Sequence, residues 1–146
     1  MTVKPIPEGY HSVTPYLVAK GADTLLDFVK KAFGADETVR MPGPGGSIGH
    51  AEVRIGDSVV MLADASEESP ATRSVLHLYV EDSDATYGRA LEAGGESLRE
   101  PTDQFYGDRM AGVRDPVGNS WWIATHVEDV SDDEMRKRAK ERVDQG

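Results

Sequence analysis

The chain has 146 residues, 38% of them hydrophobic and 29% charged, with a net charge of −10 and no cysteine. That length suits one domain or two small halves sharing a core, and the missing cysteine excludes disulfides, thiolate catalysis and cysteine-bound zinc. The negative charge argues against a nucleic-acid partner, which needs clustered Lys or Arg. With no run of about eighteen apolar residues, a membrane partner is not expected either.

The opening Met1-Thr2-Val3-Lys4-Pro5-Ile6-Pro7 lacks the apolar core of a signal peptide, so the cytoplasm is the expected location. Residues 13–18 read as a strand, with Pro15 marking it as an edge. From Ala22, the apolar residues Leu25, Leu26, Val29, Ala32 and Phe33 recur at helical spacing, and Gly34 follows where a left-handed cap belongs. Residues 37–41 read as a short strand, and Pro42-Gly43-Pro44-Gly45-Gly46 as a flexible loop suited to a lid. That loop is no phosphate cradle, because no Lys-Ser or Lys-Thr follows it. Residues 50–55 and 58–63 read as strands paired across Gly56-Asp57.

A polar linker over 65–73 leads to a second strand at 75–80. Asp82 or Ser83 caps a helix that runs to Ala93, and Gly94-Gly95 ends it. Three more strands read over 96–100, 109–114 and 120–125, and Ser131-Asp132-Asp133-Glu134 is a capping box opening a polar C-terminal helix. The same β-α-β-β-β order thus occurs twice, with Val18 and Val80, and Gly56 and Gly118, each sixty-two residues apart. Such repetition implies a duplicated module. The expected class is α+β: a single domain of two tandem βαβββ modules, 10–64 and 74–127, with a helical tail over 128–146. Two open four-stranded sheets can enclose a concave space for a small-molecule ligand, and residues facing that space carry the function.

Three segments carry a family resemblance: Gly107-Asp108-Arg109, Asp115-Pro116-Val117-Gly118-Asn119-Ser120-Trp121 and Ala124-Thr125-His126-Val127-Glu128-Asp129. Together with Pro5-Ile6-Pro7-Glu8-Gly9-Tyr10-His11 and Thr14-Pro15-Tyr16-Leu17, they resemble the glyoxalase/bleomycin-resistance/dioxygenase (vicinal oxygen chelate) superfamily, in its PhnB-like branch. The resemblance spans nearly the whole chain and implies the paired-module fold, a small-molecule cavity and a homodimer. Metal-using members carry His or Glu near the first and last strand of each module; those positions map to Val13, Val60, Val75 and Trp122. None of these side chains ligates a divalent cation, so neither a metal nor another cofactor is expected.

Alternation places Leu76, Leu78 and Val80 against the helix, and Val75, His77 and Tyr79 toward the cavity. His77 is the candidate catalytic base, with a hydrogen-bonded lining residue as the other reading. Trp122 offers an apolar platform for an aromatic or cationic group, or fills the space of the missing metal. Arg109 is either an anion-binding guanidinium or a clamp to Asp108 or Asp115. His50 and Glu52 alternate with the apolar Ala51, Val53 and Ile55 and are expected to face water, unless a one-residue slip exchanges the faces. The functional expectation is a metal-independent small-molecule binder. Its alternatives are a glyoxalase-like lyase, isomerase or dioxygenase-related enzyme, and a drug-sequestering resistance protein.

Overall fold

The repeated β-α-β-β-β order is realised twice in a computed structural model that describes residues 2–145; Met1 and Gly146 lie outside the described residues. The first unit comprises β1 (Tyr16–Ala19), α1 (Ala22–Phe33), β2 (Asp36–Pro42), β3 (Ile48–Ile55) and β4 (Ser58–Asp64). The second comprises β5 (Val75–Tyr79), α2 (Ser83–Glu92), β6 (Glu96–Asp103), β7 (Asp108–Arg114) and β8 (Ser120–His126). Each unit is one four-stranded mixed sheet, ordered β1-β4-β3-β2 and β5-β8-β7-β6, with only the first and last strands of the unit pairing in parallel. A last helix, α3 (Asp132–Gln145), follows.

The apolar stripe of α1 explains its placement. Leu25, Leu26, Phe28, Val29 and Ala32 are all buried on one side. Asp64, at the end of β4, accepts the Ala22 N–H at 2.8 Å and the Ile48 N–H at 2.7 Å, tying the helix start to β3. At the other end Gly34, at φ 66°, closes the helix, with its N–H on the Lys30 carbonyl at 3.1 Å. Helix α2 is capped by Asp82, whose side chain accepts the Ala85 N–H at 3.1 Å. Its buried residues are small (Ser83, Thr86 and Ala90), which lets it lie close to β7 and α1. Gly95 sets that approach, since a Cβ there would stand 2.4 Å from Val113 Cγ1. One apolar cluster joins the helices to the inner faces of both sheets, through Leu17, Val53, Leu62, Val113, Trp121 and Ile123. Each sheet therefore keeps its other face uncovered by helix.

The Asp115-Pro116-Val117-Gly118-Asn119 turn is a structural hub. The Asp115 side chain accepts from the Val117 and Asn119 backbones at 3.0 Å, and from Asn119 Nδ2 and Trp121 Nε1 at 2.9 Å. Asn119 in turn accepts the Ser74 N–H at 2.9 Å, fixing the start of β5.

Three expectations are corrected. The first strand begins at Tyr16, because Pro15 has no N–H to donate; its carbonyl still accepts from Met61, and Val13 is 84% exposed. The Pro42–Gly46 stretch is partly regular, since β2 reaches Pro42 and Pro44–Gly46 form a single 3-10 turn. The sixty-two-residue repeat does not align the strand faces. Leu17 pairs with Leu62 and Leu78 with Ile123, an offset of 61, so Val60 lies in the core while Trp122 faces outward. The odd offset matters because each residue step along a strand reverses the face.

Helix α3 buries no residue and is held by polar contacts. Arg138 donates to Glu128 at 2.8 Å, to Glu134 at 3.1 Å and to the Phe105 carbonyl at 3.1 Å. Arg142 stands 4.8 Å from the Phe105 ring. No helix among the described residues is long and apolar enough to cross a membrane.

The ion pairs of Glu37, on β2, with Lys30 of α1 and with Arg40 give a pH-dependent expectation. Hydrogen bonds first from Arg40 and then from Lys30 lower the Glu37 carboxyl from 4.5 to about 2. Because the folded value is depressed, this contribution is complete above the unfolded 4.5 and is lost as pH falls through about 2. The stability gap between the wild type and Glu37→Gln, measured by urea denaturation, is expected to shrink steadily over that window. A gap constant with pH would contradict the assignment.

Candidate functional site

Strand alternation and the covered inner faces leave two outer faces, one per sheet. On the second sheet, β5 presents Val75, His77 and Tyr79; β8 presents Trp122 and Ala124 beside them; β7 adds Met110 and Gly112. Val75 is 72% exposed and Tyr79 61%, a large apolar display for an uncovered sheet. Trp122 lies flat across its neighbour strand, since a Cβ on Gly112 would come within 2.3 Å of Trp122 Cζ3. The absence of a side chain at Gly112 is what lets the indole lie against the sheet. The Arg99 guanidinium stands 6.0 Å from that ring. The His77 and Tyr79 rings are 4.9 Å apart and tilted by 58°.

The end of this face is pinned by a buried carboxylate. Asp108 is 3% exposed; it accepts the Tyr79 hydroxyl at 2.7 Å and meets His126 Nδ1 at 2.9 Å. His126 Nε2 lies 2.7 Å from Asp129. Asp129 first, then Asp108, raises the imidazole above its ordinary value, and an imidazolium satisfies both acceptors. The bond to Asp108 likewise raises the Tyr79 phenol. A groove of about 1140 Å³ runs along the edge strand β5, lined by His77, Tyr79, Asp82, Arg89 and the turn at Gly56-Asp57.

Arg109 lies on the opposite face from this group. It grips Asp84 of α2 with Nε at 2.7 Å and Nη2 at 3.1 Å, and reaches Asp103 with Nη1 at 3.1 Å. It is a clamp, and its partners are Asp84 and Asp103 where the sequence suggested Asp108 or Asp115. These hydrogen bonds, Asp84 first, raise its pKa further above an already basic value.

On the first sheet, His50 and Glu52 do lie opposite Ala51, Val53 and Ile55, but Glu52 does not face water. It is 8% exposed, because the segment before β1 folds across the sheet and Tyr10 donates its hydroxyl to Glu52 Oε1. His50 Nε2 is 2.7 Å from Glu52 Oε2, and the Tyr16 hydroxyl is 2.8 Å from His50 Nδ1. Tyr10, then His50, holds the Glu52 carboxyl below its ordinary value. Sequence reasoning missed both tyrosines. Tyr10 lies forty-two residues from its partner in a segment without periodicity, and Tyr16 is assigned to a face only once the strand is known to start there.

Among the outer-face positions on the first and last strands of the two units are Tyr16, Met61, His77 and Trp122, paired as Tyr16 with Met61 and His77 with Trp122. Among the described residues, no three His, Cys, Asp or Glu side chains are grouped to hold a metal ion.

Comparison with known proteins places this geometry. The model of the Glyoxalase/Bleomycin resistance protein/Dioxygenase superfamily matches residues 10–123. The uncharacterized protein Mb0911c of Mycobacterium bovis is 37% identical over 136 residues, covering 86% of this chain and 90% of that protein. The crystal structure of TioX from Micromonospora sp. ML1 superposes with a TM-score of 0.66 at 24% identity, covering 83% of this chain and all of that one (100%). TnmS3, an antibiotic binding protein from Streptomyces sp. CB03234, gives a TM-score of 0.61 at 24% identity over 80% of this chain and 97% of its own. At these identities the two structures show a shared fold.

Proposed function

We propose that this chain, which belongs to the Glyoxalase/Bleomycin resistance protein/Dioxygenase superfamily, binds a small organic molecule through an aromatic ring and releases it unchanged, without a metal ion. The observation that carries this reading is the platform on the second sheet: an indole laid flat over Gly112, beside His77 and Tyr79, on an otherwise open apolar face. A planar ring stacking there gains about 0.5–1.5 kcal/mol beyond the area it buries. The cation facing Trp122 is the protein's own Arg99. That favours an anionic or neutral aromatic group over the cationic ligand suggested by net charge alone.

The donor set supports the metal-independent part. Of Tyr16, Met61, His77 and Trp122, only His77 offers a ligand suited to a divalent cation such as Zn²⁺, Ni²⁺ or Mn²⁺, and His50 and Glu52 beside Met61 gain no third His, Cys, Asp or Glu among the described residues. A lyase or isomerase built on His77 has less behind it. Its ring meets Tyr79 but has no side-chain hydrogen-bond partner among the described residues, whereas a working base is oriented by a third group. Sequestration fits the antibiotic-binding description of TnmS3, a neighbour in fold.

A second copy of the chain completes the site in this reading. Two outer faces bearing Tyr16, Met41, Val75 and Tyr79 are exposed on one chain, and β1 and β5 are both sheet edges. A two-fold pairing that sets one face against another closes a cavity and buries those edges.

Titration calorimetry with anilinonaphthalene sulfonate, an anionic aromatic, tests the reading. Saturable binding that survives a chelator, with the compound recovered chemically intact, is the expected result. Binding abolished by the chelator, or a compound recovered altered, would contradict it.

A further inference from the structure

We propose that Tyr16, His50 and Glu52 form an acid–base relay on the outer face of the first sheet, with the Tyr16 oxygen exchanging a proton with the hydroxyl or carbonyl oxygen of a bound molecule. The inference goes beyond the binding reading and does not depend on Trp122. Glu52 is almost fully buried, with Oε1 engaged by Tyr10 and Oε2 by His50. A carboxylate can only accept, so the hydrogen between His50 and Glu52 sits on Nε2. With that proton on Nε2, a neutral ring has its lone pair at Nδ1, 2.8 Å from the Tyr16 oxygen, and in that state the Tyr16 hydroxyl is the donor. The result is a phenol aimed at an imidazole that is itself oriented by a fixed carboxylate, the arrangement that activates a hydroxyl oxygen.

The proton balance closes without a further reactant. When the Tyr16 oxygen takes a proton from a bound hydroxyl, its own proton passes to His50 Nδ1, and the imidazolium is stabilised by Glu52. Running in reverse, the relay returns the proton to the same oxygen, so the bound molecule leaves unchanged. Tyr16 is 45% exposed on the open face, so a ligand can reach it.

Tyr79 supplies an internal control. It too is an exposed phenol on an outer face, yet its hydroxyl donates to a carboxylate, a much weaker base than imidazole. Incubation of the full chain with toluenesulfonyl fluoride near neutral pH reads the difference directly. The phenol oxygen bonds to sulfur, fluoride leaves, and the phenol proton passes to its hydrogen-bonded base and on to water. Peptide mass spectrometry then gives a rate for each tyrosine. Tyr16 is expected to label at least about tenfold faster than Tyr79, a threshold set below the roughly 10²–10⁴-fold that a positioned base contributes. That order is the reverse of their exposures, 45% and 61%. His50→Ala should bring Tyr16 down to the Tyr79 rate while Tyr79 stays as it was, and Glu52→Gln should fall between. Labelling of Tyr16 no faster than Tyr79 in the wild type overturns the relay, whatever the variants do. So does a Tyr16 rate that survives His50→Ala in a chain whose Tyr79 rate is unchanged.

Discussion

Replacing Asp115 with alanine is expected to destabilise the chain by about 3–5 kcal/mol, because it orphans several donors at once. The carboxylate is 3% exposed and accepts from the Val117 and Asn119 backbones, Asn119 Nδ2 and Trp121 Nε1. An unsatisfied buried donor costs about 1–3 kcal/mol, and relaxation keeps four of them from adding fully. The loss also frees Asn119, which holds the start of β5 through Ser74. Urea denaturation measures the effect; a loss below about 1 kcal/mol would mean that the turn holds itself without its hub.

Phe28→Ala is expected to cost about as much, about 3–5 kcal/mol, through the cavity it leaves. The ring is 1% exposed and packs edge-on against Phe33 at 5.5 Å. Its Cε1 would lie 3.2 Å from a Cβ on Gly95, so it reaches from α1 into the second unit. Its removal should loosen the contact between the two units as well as the first core. Val75→Ala gives the contrast: a residue 72% exposed on the outer face is expected to change stability by less than about 0.5 kcal/mol. Equal losses for the two variants would refute the division into inner and outer faces.

The sequence carried the architecture through its repetition, because hydrophobic spacing and glycine stops are local signals. Leu25, Leu26 and Val29 mark α1 with no tertiary information, and Gly34 ends it. Which face each strand presents was legible for β5, where apolar and polar residues alternate, and was lost between β4 and β8. Matching Gly56 to Gly118 aligned the turns, but Ser58 returns against Ile55 across two residues, whereas Ser120 returns against Arg114 across five. A one-residue difference in the strand offset then put Val60 on the wrong face. The Tyr10–Glu52 bond and the Arg109 clamp to Asp84 were not legible because both join side chains distant in the chain, and no periodicity reports such a meeting. The cap at Ser131 was legible for the opposite reason: its Oγ accepts the Glu134 N–H at 3.2 Å across three residues, although the Glu134 carboxylate turns to Arg138 and leaves the expected capping box half made.

The central claim is that an aromatic ligand rests on the outer face of the second sheet against Trp122. Its most direct test is the affinity of anilinonaphthalene sulfonate for the wild type, Trp122→Ala and Gly112→Ala. Trp122→Ala removes the platform and is expected to weaken binding about tenfold or more, a loss typical of a buried aromatic anchor. Gly112→Ala keeps the indole but pushes it off the sheet, since its Cβ would stand 2.3 Å from the ring, and should weaken binding as well. Affinity unchanged in both variants, with both folded, would place the ligand elsewhere and contradict the account.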